Sequence, residues 1–169
     1  MACSQTLSGL TYDCSGIGLG GIKEVYVAQW NSSAIATGVT MDSTAGTVTG
    51  ITGMSFVKYD FRKNTGSMTS TFNADEGYVT TEVVLHFDKM ETKKRLEMSA
   101  LSLDDLFVLV VDNNQKVWVL GLDCPVVASA GTGQTGTNRI SDRNYYEITL
   151  QSNDGTYPME FTGTLPTVS

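Results

Sequence analysis

Side chains able to do nucleophilic or metal chemistry are few in this chain, and they are scattered. Three cysteines, Cys3, Cys14 and Cys124, accompany a single histidine, His86. Structural zinc needs a closely spaced cysteine pair, whereas the nearest cysteines here stand eleven positions apart, so no zinc site follows. Cys14 or Cys124 with His86 as base is the one nucleophilic arrangement available, and no third residue to orient it can be named. A Cys3–Cys14 disulfide is open by spacing, although reduced thiols are the expectation for a chain kept in a cytoplasm. Asp104, Asp105, Asp112 and Asp123 lack the D-x-D-x-D-G spacing of a calcium loop; they suit helix ends and turns. Lys93, Lys94 and Arg95 are bracketed by Glu91 and Glu97, which makes a solvated helix face of them. The run GIGLGG at Gly16–Gly21 follows no strand and opens no helix, so it reads as a turn and not as a phosphate loop. We therefore expect no catalytic residue, no metal, no cofactor and no enzyme.

What the chain offers instead is strand after strand. The stretch from Tyr78 to Gly121 dominates: Val79, Thr81, Val83, Leu85 and Phe87 alternate with Tyr78, Thr80, Glu82, Val84 and His86, the period of a strand with one face buried. Asp88 and Glu91 have the spacing of a capping box, and Glu91 and Arg95 that of a favourable helical pair. They predict a helix of about three turns, closed by Asp104 and Asp105. LFVLVV (106–111) predicts a strand covered on both faces, DNNQ a turn, and KVWVL (116–120) its partner. Earlier, IKEVYVAQW (22–30) predicts a strand with Val25, Val27 and Gln29 opposite Tyr26, Ala28 and Trp30. Short strands are expected near Ala34–Ala36 and Thr47–Ile51, and another over Met54–Arg62. Later, residues 123–142 read as a loop of small residues and YYEITL (145–150) as a strand ending in an NDGT turn. YPMEFT (157–162) reads as a final edge strand limited by Pro158.

The length of 169 residues fits one domain. Seventeen glycines against three prolines, with many Thr, Val and Tyr, favour a mostly β protein. The expected fold is mainly β with one short helix, a β-sandwich or rolled β-barrel flanked by that helix. Residues 1–21 form a lead-in arm, 22–163 the domain and 164–169 a tail. A net charge of −7 argues against a broad grip on nucleic acid. The first residues have no basic or strongly apolar leader, and no apolar run approaches the roughly 18 residues of a membrane span. Two polar segments, 63–77 and 126–142, are long for so small a domain. Subunit contacts would account for them, with 63–77 as a β-hairpin arm.

The segments MACSQTL, YDC and GGIKEVYV, then FRKNTGSMTST, YVTTEVVLHFDKMETKKRLEMSAL, KVWVLG and ASAGTGQTGT before YYEITL, resemble small virion proteins of crAss-like phages that infect gut Bacteroidales. The resemblance runs over nearly the whole chain in order and spacing. It implies a ring subunit of the tail barrel below the portal and a fold similar to tail-tube and tail-terminator proteins. Also implied are a sixfold or twelvefold homo-oligomer, tail and portal proteins as neighbours, and a lumen that passes DNA without reading it. Localisation would be the virion tail, after assembly in the host cytoplasm. The expected subunit interface comprises Arg62, Lys63, Asn64, Thr65, Met68, Phe72, Gln134, Thr135 and Arg139. A capsid-decorating or head-fibre module is the alternative, and a Cys/His hydrolase a more distant one.

Overall fold

A computed structural model describes residues 7–10, 18–62, 64–136 and 142–168. In chain order the elements are β1 (Ile22–Gln29), α1 (Ser32–Gly38), β2 (Val39–Asp42), β3 (Thr47–Ile51), β4 (Val57–Asp60), β5 (Ser67–Asn73) and β6 (Tyr78–Asp88). There follow α2 (Thr92–Leu103), β7 (Leu106–Asp112), β8 (Val117–Leu120), β9 (Val127–Thr135), β10 (Asn144–Asp154) and β11 (Met159–Phe161). They build a seven-stranded sheet in the order β2-β3-β11-β8-β7-β1-β4 and a four-stranded sheet in the order β5-β6-β10-β9. The fold is thus mainly β and sandwich-like, as the strand periods require.

The continuous apolar run predicts a strand buried on both faces, and β7 lies inside the larger sheet with Leu106 to Val111 all buried. Its alternate side chains feed two cores. Val108 and Val110 join Val25 and Val27 of β1 and Leu120 of β8, facing Val83 and Leu85 of β6 and Ile148 and Leu150 of β10. That layer holds the two sheets together. On the opposite face, Phe107, Leu109 and Val111 pack with Tyr26, Val48, Val119 and Phe161. Phe56 meets Phe107 edge-on there, with ring centres 6.2 Å apart. This second core is closed by Trp30, Ile35, Met54 and Leu165. The Trp30 indole donates to the carbonyl of Gly121 at 2.9 Å. The tail docks too: the Thr162 amide donates to Val48 O, and Val168 bridges Phe56.

Several sequence readings are corrected. Ala34–Ala36 belongs to α1, not to a strand, so the described residues form two helices, not one. Asn31 Oδ1 accepts from the amides of Ser33 and Ala34 at 3.0 and 3.2 Å, and this N-cap lets a short, β-branched segment turn helical. Asp88 ends β6 instead of capping α2. Lys89 takes a positive φ of 65°, and the helix starts after Glu91, which makes no side-chain cap. Glu91 pairs with Lys94 at 3.7 Å, one residue short of the Arg95 partner the spacing suggested. Residues 127–135, read as loop, form β9, and β10 runs four residues past Leu150 to Asp154. β11 is internal, parallel to β3 and antiparallel to β8, so it is no edge strand.

Candidate assembly surface

Backbone groups come first, because a sheet edge is a row of unpaired donors and acceptors. The four-stranded sheet has two such edges, β5 and β9. β5 pairs along its whole length with β6, Ser67 opposite Val84 through Asn73 opposite Tyr78. β10 covers the other side of β6 from Val79 to Asp88. The 63–77 segment is therefore one half of a hairpin whose other half lies inside the sheet. At the far edge β9 pairs, among the described residues, with β10 alone, from Val127 to Thr135.

The small residues that disguised β9 answer to a neighbour. α2 packs on this strand: a Cβ at Gly131 would meet Met98 at 3.7 Å, and one at Gly133 would strike the Tyr146 ring at 2.7 Å. Leu101 anchors the helix in the first core. From β4, the Tyr59 hydroxyl donates to Glu97 Oε2 at 2.7 Å. Burial, then that hydrogen bond and the carboxylate's charge, hold the Tyr59 phenol well above the usual tyrosine range.

The residues expected at an interface fall on both edges. Met68 and Phe72 lie on β5; Met68 packs on the first core, while Phe72 is 52% exposed. Gln134 and Thr135 lie at the end of β9, where Gln134 Oε1 accepts from the Tyr145 hydroxyl at 3.1 Å. Arg62, Asn64 and Thr65 form the turn into β5. Thr65 N donates to Arg62 O at 3.2 Å, Asn64 has a φ of 63°, and Arg62 reaches Asp88 at 3.8 Å. Lys63 and Arg139 lie outside the described residues. One copy does not bring the two groups together; it holds them on opposite sides of one sheet.

Between the edges lies the sheet's outer face. Alternation places Ser67, Thr69 and Thr71 of β5, Thr80, Glu82, Val84, His86 and Asp88 of β6, and Tyr145, Glu147, Thr149 and Gln151 of β10 on it. β9 adds Thr132 and Gln134. This face is mostly hydroxyl, amide and carboxylate, with His86 and the apolar Val84, Ala130 and Val127 among them; none of its strand positions holds Lys or Arg. His86 is buried within it, its ring stacked 4.2 Å from that of Tyr145. Its Nδ1 lies 3.3 Å from Glu147 Oε2 and its Nε2 3.7 Å from Asp88 Oδ1. Both nitrogens thus face carboxylates. Cys124 is free and exposed, whereas Cys3 and Cys14 lie outside the described residues.

The remaining acidic residues order loops. Asp112 accepts from the amides of Asn114 and Lys116, both near 2.9 Å, and from the Trp118 indole at 3.1 Å. Asp154, missed in the sequence because it was read as part of a turn, accepts from the amides of Gly121, Asp123 and Cys124 and from the Ser152 hydroxyl. Among the described residues no group of three or more His, Cys, Asp or Glu side chains is arranged to hold a metal ion, and no helix is long and apolar enough to cross a membrane. The described end of GIGLGG, Gly18–Gly21, meets the β7–β8 turn: Leu19 and Gly20 make hydrogen bonds with the side chains of Asn113 and Asn114.

Comparison of the chain with family models, with curated proteins and with solved structures finds no match in any of the three.

Proposed function

We propose that this chain is a structural subunit of a bacteriophage virion, self-assembling into a ring of the tail that forms part of the DNA-ejection channel. One observation carries the reading: a four-stranded antiparallel sheet with an open edge on each side. Since all neighbours in β5-β6-β10-β9 are antiparallel, β5 and β10 run one way and β6 and β9 the other. A second copy set beside the first in the same orientation brings its β9 against β5 antiparallel, so the alternation continues unbroken. Such a contact is heterologous and closes into a ring when its rotation allows. On shared rows the Arg62–Thr65 turn of one copy then comes nearest Gln134 and Thr135 of the next, while Met68 and Phe72 lie farther along the same edge.

Size and charge agree with a channel. At about 4.8 Å per strand, the 24 strands of a six-membered ring, four from each copy, give a circumference of about 115 Å. The backbone diameter is then about 37 Å, more with strand tilt. After side chains, that leaves a lumen of about 25 Å for a duplex to pass; twelve copies leave roughly twice the backbone width. With the outer face turned inward, the lumen shows carboxylates and hydroxyls and lacks the lysines and arginines that grip phosphate.

The test is a pair of charges on the edge. Thr69→Lys with Thr71→Lys blunts β5 without touching either core. Sedimentation at micromolar concentration is expected to show a discrete oligomer for the native chain and monomer for the variant. A variant that assembles like the native chain defeats the β5 junction.

A further inference from the structure

The segment Leu7–Leu10 stands clear of the domain, its two leucines fully exposed. It belongs to a stretch, residues 1–21, whose only charged side chain is Asp13. Two exposed leucines on an arm with a single charge need a place to go. The domain has one to offer. β4 pairs with β1 only as far as Val57 opposite Val27, so Ala28 and Gln29 have no ladder partner on that side. There a groove of about 540 Å³ opens between β1 and α2, lined by Val27, Leu101, Leu106, Met54 and Val57 together with the polar Asn31 and Glu97. Leu96 and Leu103 of α2, 56% and 85% exposed, lie one helical step from the groove-lining Ala100.

We infer that the Leu7–Leu10 segment of one copy docks in the α2–β1 groove of a second copy, laying its backbone beside Ala28 and Gln29 and its leucines against the groove's apolar side chains. This rests on the ring reading, because ring geometry is what brings arm and groove together. The arm leaves the domain at the β5 edge: Gly21 and Ile22 abut Gly66, just before Ser67. The groove lies on the β9 side, where α2 packs at Gly131. Across the sheet Ser67 stands opposite Val84, Val84 opposite Thr149, and Thr149 opposite Ala130. Exit and helix contact therefore sit within one residue of the same row, and the junction of β5 with a neighbour's β9 sets one beside the other. The arm's own groove, at the Gln29 end of β1, is the competing seat, because the chain from Leu10 to Gly21 can extend about 36 Å; a disulfide between two different proteins tells the neighbour's groove from the arm's own.

The experiment mixes two full-length proteins in which Cys3, Cys14 and Cys124 are serine. One carries Ser8→Cys, between the leucines; the other carries a tag and Ser55→Cys, an exposed position lining the groove. Mild oxidation is expected to give a mixed disulfide at least tenfold above a control with Met41→Cys, at the opposite edge of the large sheet. Adding Leu7→Ser and Leu10→Ser to the arm should abolish that excess. A yield no higher than the control, or one indifferent to the leucines, overturns the docking. Electron microscopy of the same mixture separates the two ideas: rings without the cross-link refute the arm contact alone, and the cross-link without rings refutes the ring alone.

Discussion

At the residue scale, two side chains hold distant segments in place, and each is open to measurement. Asp154 gathers three amides of the 121–124 loop and the Ser152 hydroxyl, itself buried. Asp154→Ala leaves these donors without a partner and is expected to cost about 2–3 kcal/mol in urea denaturation, with Asp154→Asn retaining part of it. Tyr59 links β4 to α2 through Glu97. The unfolded phenol ionises near about 10, whereas the folded one stays protonated beyond that. Above this pH the unfolded state binds fewer protons, so the contribution is whole below about 10 and is lost as pH rises past it. Tyr59→Phe should cost about 1 kcal/mol at neutral pH and make the alkaline decline shallower. Burial and Glu24 also raise the Tyr26 phenol, so the decline will not vanish. An unchanged slope would show that the Tyr59–Glu97 bond plays no such part. Neither partnership was legible in the sequence, since Asp154 sits 30 or more residues from the amides it binds and Glu97 sits 38 from Tyr59.

At the scale of elements, the strands with clean periods were legible and those under local constraint were not. β1, β6, β7 and β8 follow from alternation or a continuous apolar run, since burial of one or both faces writes itself into side-chain type. β9 does not, because its small residues carry no apolar alternation, and Gly133 answers to the Tyr146 ring and not to strand propensity. α1 was hidden by β-branched Ile35 and Thr37, and its signal was the preceding Asn31. Asn31→Ala is expected to lower stability by about 1 kcal/mol and to loosen Ile35 and Trp30 over the second core, readable as faster amide exchange in residues 33–37. Equal exchange would mean that packing alone holds the helix. The residues proposed for an interface come from two polar segments; that these occupy opposite edges of one sheet was not legible, because the order β5-β6-β10-β9 joins distant segments only through the fold.

At the scale of the whole molecule, a two-core sandwich presents a short antiparallel sheet with both edges open and an outer face free of basic strand positions. A lone monomer with such edges invites uncontrolled pairing, and a closed ring removes them. The proposal of a tail-ring subunit stands or falls on that closure. Electron microscopy of the purified chain at micromolar concentration tests it most directly. The account predicts closed rings, sixfold with a lumen of about 25 Å after side chains, which disappear in the Thr69→Lys, Thr71→Lys variant. Monomers at every concentration, or rings that the two lysines leave intact, would contradict it.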